Sequence, residues 1–321
     1  MITIESLNEP DKRWNERLLE SKYGTIYQTK EYSTYVKDAY NWETNFLLFI
    51  NSQGDIVGQL LLTSQPKFTG NGLHNKLLDI LTKRRIYRWS YGPVIFFPTY
   101  NDEIIKSLSK YLISLDSKVI GYEHPLSSGL LSKIEKPFII NKWSTFIIDL
   151  KKNKETLWNN LDKHSARKNI ERSQKRGVVI KQMDSTILES YYKMLLETKK
   201  KVGGEVSFND VESLWKNLNP IGLSGSIALY NEEPIGGILI SSFNSYINEW
   251  GVARTDFDRE QKLYSQDYLK WKIIEWGINN NQNYFDLSGV NPDIANAKEE
   301  GIFRYKEKWG GNFIEYYFCS I

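Results

Sequence analysis

The sequence predicts an α/β protein with two domains of one type in tandem, each a mixed sheet flanked by helices. Segments with helical and with extended hydrophobic patterns alternate along nearly the whole chain. A hairpin with glycine in its second strand occurs twice with the same spacing, at 55–62 and 233–240, which is typical of an internal duplication. The chain has 321 residues, of which 40% are hydrophobic, and this is enough for two cores.

The boundary between the two domains is expected near residue 145. The first domain then spans 1–145 and the second 146–311, and the last strand, 312–321, is a candidate to join the first. Chance similarity between two ordinary hairpins is the alternative to a duplication.

The first domain is expected to begin with helix and loop and to continue with a hairpin. Trp14 and Leu18 lie at helical spacing, and Thr29 is placed to cap the next helix. Two apolar runs flank a polar turn at 51–55, which is a hairpin signal. The expected elements are helices over 11–21 and 29–39, strands over 46–50 and 56–63, a loop and basic helix over 70–85, a strand over 89–97, a helix capped by Asp102 over 102–114, and a strand over 118–122.

The second domain repeats this order of elements. Gly177 suits the left-handed position that follows a helix, and Ser265 is placed to cap a helix with Leu269, Ile273 and Trp276 on its core face. The expected elements are strands over 144–150, 178–182, 226–230, 234–243, 283–290 and 312–319, and helices over 154–176, 185–202 (closed by Gly203 and Gly204), 265–279 and 301–311.

Composition restricts the class of protein. The net charge of +3 does not by itself demand a nucleic-acid partner. One cysteine, Cys319, excludes an internal disulfide framework, and His74, His124 and His164 lie too far apart in sequence for metal-ligand spacing. No apolar run approaches the roughly 18 residues of a spanning helix. We therefore expect a soluble cytoplasmic protein without a metal, with possible contact to the inner face of a membrane.

The site predictions concern a segment near the C-terminus. Residues 283–290 predict a buried strand that ends in Asp286 and a turn. Residues 301–311 predict a short basic and aromatic helix that stops at two glycines. Because side chains at such a strand end converge on an open crevice in sheet proteins, we expect the functional site here.

The order of elements resembles the acyltransferase fold of the GNAT superfamily. Its doubling resembles the Fem-type aminoacyltransferases, which build peptidoglycan cross-bridges with aminoacyl-tRNA. The resemblance covers nearly the whole chain and lies in the order and spacing of several pieces. These pieces are Phe285-Asp286-Leu287-Ser288-Gly289, Gly301-Ile302, Tyr305-Lys306-Glu307-Lys308-Trp309-Gly310, and the series Ile148-Asp149-Leu150, Leu161, Arg167, Ile170 and Gly177-Val178.

The resemblance implies transfer of an amino acid from aminoacyl-tRNA to an amine of a cell-wall peptide precursor. Lys306 is the expected catalytic cation, because an ammonium group at the ester stabilises developing negative charge or binds the terminal phosphates of tRNA. Asp286 is expected to orient the amine or to accept its proton. The alternatives are that Lys306 is a solvated helix charge and that Asp286 caps a turn.

Further residues are expected to bind substrate. Tyr305 and Trp309 stand where the family has phenylalanine and would form a stacking wall, and Lys37 lies one position from the family's usual lysine. The expected substrate-binding residues are Lys37, Tyr246, Arg254, Tyr264, Tyr305 and Trp309.

A basic helix carries the densest positive charge in the chain. Lys168, Arg172 and Arg176 repeat at four-residue steps, so they fall within one broad face. We expect this face to contact tRNA phosphates, with a sugar diphosphate, anionic lipids or plain solvent as the alternatives.

The segment before the helix at 265–279 bears on the acyl donor. Members of the superfamily that use acetyl-CoA hold its pyrophosphate on a glycine-rich loop, whereas residues 254–265 contain no glycine and several acids. This disfavours acyl-CoA and favours aminoacyl-tRNA as co-substrate, with no other cofactor. The alternatives are an N-acyltransferase of an exopolysaccharide or surface-glycan pathway that uses an acyl thioester, and a non-catalytic binding module.

Overall fold

The computed structural model describes residues 1–66, 85–127, 129–202 and 204–321. The loop and basic helix expected over 70–85 lie outside the described residues except for Arg85. Gly203, which was expected to help close the helix at 185–202, also lies outside them. The chain divides into two compact units. Unit 1 comprises Met1–Trp143 and Glu315–Ile321, and unit 2 comprises Ser144–Ile314.

The strands are numbered β1 to β13 in chain order among the described residues. They are Thr3–Leu7, Glu43–Ile50, Ile56–Pro66, Arg85–Trp89, Val94–Ile95, Lys118–Tyr122, Ile139–Asp149, Val179–Gln182, Leu223–Tyr230, Glu233–Phe243, Tyr246–Arg254, Tyr284–Val290 and Asn312–Ser320. The α-helices of the same residues are numbered α1 to α10. They are Trp14–Glu20, Lys30–Tyr40, Asn101–Ser114, Lys154–Asn160, Lys168–Lys175, Leu188–Val202, Phe208–Leu218, Asp256–Glu260, Ser265–Asn279 and Ala297–Glu307.

Unit 1 contains a mixed sheet. Strands β1, β2, β3 and β4 are antiparallel neighbours in that order, β4 is parallel to β6, and the end of β13 pairs with β6. The short strand β5 pairs with β3. Apolar side chains of β2 and β3 pack with those of α3, and Leu47, Leu60 and Leu108 are fully buried.

Unit 2 contains a second mixed sheet. Its strands follow the order β7, β12, β11, β10, β9, β8, and all neighbours are antiparallel except β11 and β12, which run parallel. Ile238, Ile274 and Phe285 lie at the centre of its core. The expected α/β class with mixed sheets flanked by helices is confirmed.

Some boundaries differ from the sequence prediction. The helix expected over 154–176 is interrupted, because Leu161 is extended (ψ 143°) and the side chain of Asp162 caps a π-helical turn, Lys163–Arg167, before α5 begins. The N-terminal residues expected as helix and loop include strand β1, and α7 was not predicted.

The helix caps agree with the prediction at one position and differ at two. Thr29 accepts a hydrogen bond from the backbone of Tyr32, as expected, whereas Asp102 and Ser265 lie inside their helices and do not cap them. The residue before α9 is Tyr264, in the left-handed conformation (φ 59°). In α9, Leu269 and Ile273 are buried as expected, but Trp276 is exposed.

Among the described residues, no helix has both the length and the apolar character needed to cross a membrane.

Candidate functional site

The end of strand β12 is irregular, and this irregularity presents two backbone carbonyls. The pairing of β12 with β7 shifts register between Asp286 and Gly289. Ser288, within the shift, has a left-handed backbone (φ 64°). The polar groups of this turn then bond to side chains from the surrounding elements.

Asp286 is fully buried and holds this turn together. Its Oδ1 accepts hydrogen bonds from Thr145 Oγ1 (2.5 Å) and from the backbone N–H of Ser288 (2.8 Å). Its Oδ2 accepts from Tyr246 Oη (2.9 Å) and Asn248 Nδ2 (3.0 Å). A buried charge requires such partners, so four donors from three strands position this carboxylate.

Lys306 projects from α10 onto the same turn. Its Nζ donates to the carbonyl oxygens of Ser288 and Gly289, each at 2.9 Å, and the residue is only 9% exposed. Burial lowers the pKa of Lys306 to about 8. The charge of Lys270 acts in the same direction, whereas Glu249 and Asp286 oppose it. The structure therefore brings both side chains onto one residue, because Asp286 accepts from the N–H of Ser288 and Lys306 donates to its carbonyl.

A second buried charge lies beside them. Lys270 on α9 is fully buried, and its Nζ donates to Glu249 Oε2 on β11 at 2.5 Å. The same ammonium group lies 4.9 Å from the ring centre of Tyr305 and 5.6 Å from that of Trp309, within the range of a cation–π interaction. Neither Lys270 nor Glu249 was predicted from the sequence, although a lysine beside Leu269 on an otherwise apolar helix face was the available signal.

Trp309 and Tyr305 differ in accessibility. Trp309 is 1% exposed and packs in the core of unit 2, which disfavours the expected contact of its ring with a ligand. Tyr305 is partly buried, and burial raises the pKa of its phenol, so the hydroxyl stays neutral at ordinary pH. Lys308 lies over the Tyr305 ring at 4.3 Å and pairs with Asp267, which also accepts from Asn169.

Arg254 lies at the end of β11 and is paired. Its Nε donates to Asp258, which is fully buried, and the other oxygen of Asp258 accepts the backbone N–H of Ser265 at 3.0 Å. A carboxylate therefore already occupies the first turn of α9, where a bound anion would otherwise find free N–H groups.

The residues expected to bind phosphate divide into two kinds. Arg172 and Arg176 lie beside the ring of Tyr264, at 5.8 and 6.0 Å, and Arg176 Nη1 also donates to the carbonyls of Gln261 and Lys262. Lys168 is exposed on the same helix. Arg176 is thus part of the scaffold around Tyr264, whereas Lys168 is accessible.

Lys37 lies in unit 1, on the last turn of α2, and is exposed. The other predicted site residues all belong to unit 2. Within the described ranges, no three His, Cys, Asp or Glu side chains are grouped closely enough to hold a metal ion, and His74 lies outside those ranges.

The arrangement offers groups that acyl transfer requires. Lys306 has three N–H donors, of which the described residues use two, so one remains for a ligand oxygen. A donor held rigidly in a poorly hydrated position stabilises developing negative charge more strongly than it would in water.

Comparison with known proteins identifies the fold. No family model matches the chain, and no curated protein matches it. FemX superposes with a TM-score of 0.71 at 12% identity, over 98% of this chain and 96% of FemX. L-PGS from Bacillus licheniformis gives 0.58 at 14% identity over 97% and 92%, and a tandem GNAT protein from the clavulanic acid biosynthesis pathway gives 0.56 at 10% identity over 100% and 98%. The tandem GNAT-like fold that the sequence resembles is thereby confirmed, and at these identities the likeness concerns the fold alone.

Proposed function

We propose that this chain is an acyltransferase that moves an aminoacyl group from aminoacyl-tRNA to an amine of a cell-wall peptide precursor. The observation that carries the proposal is the nearly buried ammonium group of Lys306, fixed by the carbonyls of Ser288 and Gly289 at a strand end. The fold shared with FemX and with a tandem GNAT protein supports the same reaction class.

The chemistry needs little from the protein beyond positioning and charge. The ester of an aminoacyl-tRNA is already activated, so the enzyme must orient the amine, stabilise the oxyanion and transfer a proton. Lys306 supplies the cation that stabilises the oxyanion. Asp286 orients the reacting groups through the turn that it holds at Ser288.

Aminoacyl-tRNA is favoured over an acyl thioester by the first turn of α9. Asp258 accepts the Ser265 N–H and pairs with Arg254, so a pyrophosphate at this position would meet a buried carboxylate. Lys168 is accessible for contact with a tRNA phosphate. The alternative, an N-acyltransferase of a surface-glycan pathway, would require a thioester held elsewhere. The proposed acceptor would place this activity in the cytoplasm or at the inner face of a membrane.

Replacement of Lys306 by methionine tests the proposal. The Lys306→Met variant keeps a side chain of similar length but loses the charge, and we expect at least a 10²-fold loss of kcat, in the range measured when a single oxyanion-stabilising donor is removed. The assay incubates the protein with charged tRNA or acyl-CoA and an amine acceptor and follows deacylation of the donor.

The matched control is Lys298→Met, which removes an exposed charge from the same helix and is expected to leave turnover unchanged. Unchanged turnover in Lys306→Met would contradict the proposed site. If the native protein deacylates acyl-CoA and not charged tRNA, the thioester alternative is correct. If it binds neither donor, the chain is a non-catalytic binding module.

A further inference from the structure

The carboxylate of Asp286 is poorly placed to take up the proton of an attacking amine. Each of its oxygens accepts two hydrogen bonds, from Thr145 and Ser288 on one side and from Tyr246 and Asn248 on the other. A carboxylate has about four lone-pair positions, and these donors fill them. The acceptor of the proton must therefore be sought among the neighbouring groups.

Glu249 is a carboxylate in the same cluster with an oxygen still available. Its Oε2 accepts from Lys270, whereas no donor of the described residues bonds to Oε1. Its side chain is 10% exposed, whereas the Lys270 side chain is entirely buried. One oxygen is thus anchored by Lys270, and the other has no hydrogen-bond donor among the described residues.

Ser288 connects Glu249 to Lys306. The hydroxyl of Ser288 donates to the backbone carbonyl of Glu249 at 2.5 Å, and the carbonyl of Ser288 accepts from Lys306 Nζ at 2.9 Å. The ammonium group of Lys306 also interacts electrostatically with the Glu249 carboxylate. The carboxylate and the ammonium group therefore belong to one site at the irregular end of β12.

We propose that Glu249 is a catalytic residue that accepts the proton of the acceptor amine, and that Lys270 is a positioning residue that holds its carboxylate. This inference rests on the proposed function, because it assumes an amine that attacks an activated carbonyl.

The proposed proton transfer returns Glu249 to its starting form. The neutral amine nitrogen attacks the ester carbonyl carbon, a C–N bond forms, and the oxyanion is stabilised by Lys306. Glu249 takes one proton from the nitrogen as it becomes positive. When the ester C–O bond breaks, the same proton passes to the leaving 3′-oxygen, which departs as a hydroxyl, and Glu249 returns to its carboxylate form.

The charged and titratable groups that face Glu249 come from three helices. Lys270 on α9 and Lys306 on α10 bring positive charge, and Tyr305 on α10 and Tyr191 on α6 bring phenols. Burial raises the pKa of both phenols, so neither competes for the proton at ordinary pH. Glu249 is thus the carboxylate of this group that has a free oxygen.

The first experiment is the isosteric change Glu249→Gln. General-base catalysis contributes on the order of 10² to 10⁴ in rate, and we expect kcat/KM to fall by that factor. The matched control is Glu275→Gln, which removes a carboxylate of α9 that pairs with Lys154 and Lys272 and leaves the site intact. We expect the control to keep the activity of the native protein.

A second set of variants separates proton transfer from a structural role. Glu249→Gln leaves Lys270 buried without its counter-charge, which lowers stability. The double change Glu249→Gln with Lys270→Met removes both charges and is expected to recover stability but not turnover. In Glu249→Ala, added formate is expected to restore part of the rate in proportion to its concentration, because it replaces the missing base.

The activities of these variants separate the role of Glu249 from the proposed function. Full activity of Glu249→Gln, or recovery of turnover in the double variant, would overturn the inference while leaving the transferase proposal intact. Absence of formate rescue in a folded Glu249→Ala variant also counts against proton transfer. If the native protein itself transfers no acyl group to an amine, the proposed function fails rather than the role of Glu249.

Discussion

Lys306 shows how a single buried charge is maintained at a defined position. Desolvation disfavours its ammonium form, and two carbonyl oxygens at 2.9 Å offset only part of that cost. The pKa of Lys306 falls from 10.5 to about 8, which leaves the group charged at neutral pH. Between those two pH values the unfolded chain binds more protons than the folded one, so the contribution of Lys306 to stability rises with pH.

This pKa shift predicts the alkaline side of the activity profile. Because the ammonium form stabilises the oxyanion, we expect kcat/KM to fall as pH rises through about 8, where Lys306 loses its proton. In Lys306→Arg the charge persists above pH 12, and the alkaline decline should disappear even if the absolute rate is lower. The measurement is the pH dependence of kcat/KM for both proteins from pH 6 to 10. A native profile that stays flat to pH 10 would contradict the role of the ammonium form.

The proximity of Asp286 and Lys306 was predictable because a local pattern carries both residues. Asp286 and Lys306 stand in a short segment whose spacing resembles a family pattern, and the structure brings both onto Ser288. Glu249 and Lys270 escaped prediction because their pairing depends on how β11 meets α9, which no local pattern records.

At the scale of elements, α10 is held in place at its C-terminal end. The carbonyl of Lys308 accepts the backbone N–H of Asp162 at 2.8 Å. Gly310 follows with φ +67°, and a Cβ atom there would lie 2.4 Å from the carbonyl oxygen of Asn160. The loop after α4 and the end of α10 are thus fitted backbone to backbone, and this contact fixes the helix that carries Lys306.

Gly310→Ala tests that contact. We expect a loss of about 3 kcal/mol in the free energy of unfolding, from the left-handed backbone and from the clash with a main-chain oxygen. Urea denaturation measures it, and activity should fall with the displacement of α10. Gly301→Ala is the control, because nothing lies within 4 Å of its Cβ position, and removal of glycine from a helix is expected to add roughly 0.5–1 kcal/mol. Equal stability of the two variants would refute the role given to Gly310.

Elements were predictable where their hydrophobic period was long and regular. The hairpins β2–β3 and β9–β10 were predicted with shifts of up to three residues at their ends, and the helix α9 was predicted with the observed bounds. The prediction of one helix over 154–176 was wrong because the capping side chain of Asp162 competes locally with continuation of the helix. The amphipathic spacing stays nearly unchanged across such a break, so the hydrophobic pattern does not reveal it.

At the scale of the whole molecule, the net charge of +3 is small, so binding of a nucleic acid has to depend on local basic surfaces. The face formed by Lys168 and Arg172 on α5 and by Arg176, which directly follows this helix, is such a surface. Arg176 is engaged with two carbonyls of its own chain, whereas Lys168 and Arg172 are exposed and make no such contacts to the backbone of the described residues.

The salt dependence of tRNA binding tests this surface. Each phosphate contact contributes close to one to the slope of log K against log salt concentration. Lys168→Ala is therefore expected to reduce that slope by about 1 without changing the free energy of unfolding. Lys110→Ala, which removes an exposed lysine of unit 1, is expected to leave the slope unchanged. Identical slopes for the native protein and Lys168→Ala would show that Lys168 does not contact a tRNA phosphate.

The sequence by itself determined the α/β class, the repeated hairpins and the segment that carries Asp286 and Lys306, because periodicity and spacing are local properties of a chain. The tertiary structure alone decided which charges are buried and which pair. Thr145 reaches Asp286 across 141 residues, and Lys270 reaches Glu249 across 21. Such contacts follow from the packing of strands and helices, whose energy is shared among many residues far apart in sequence.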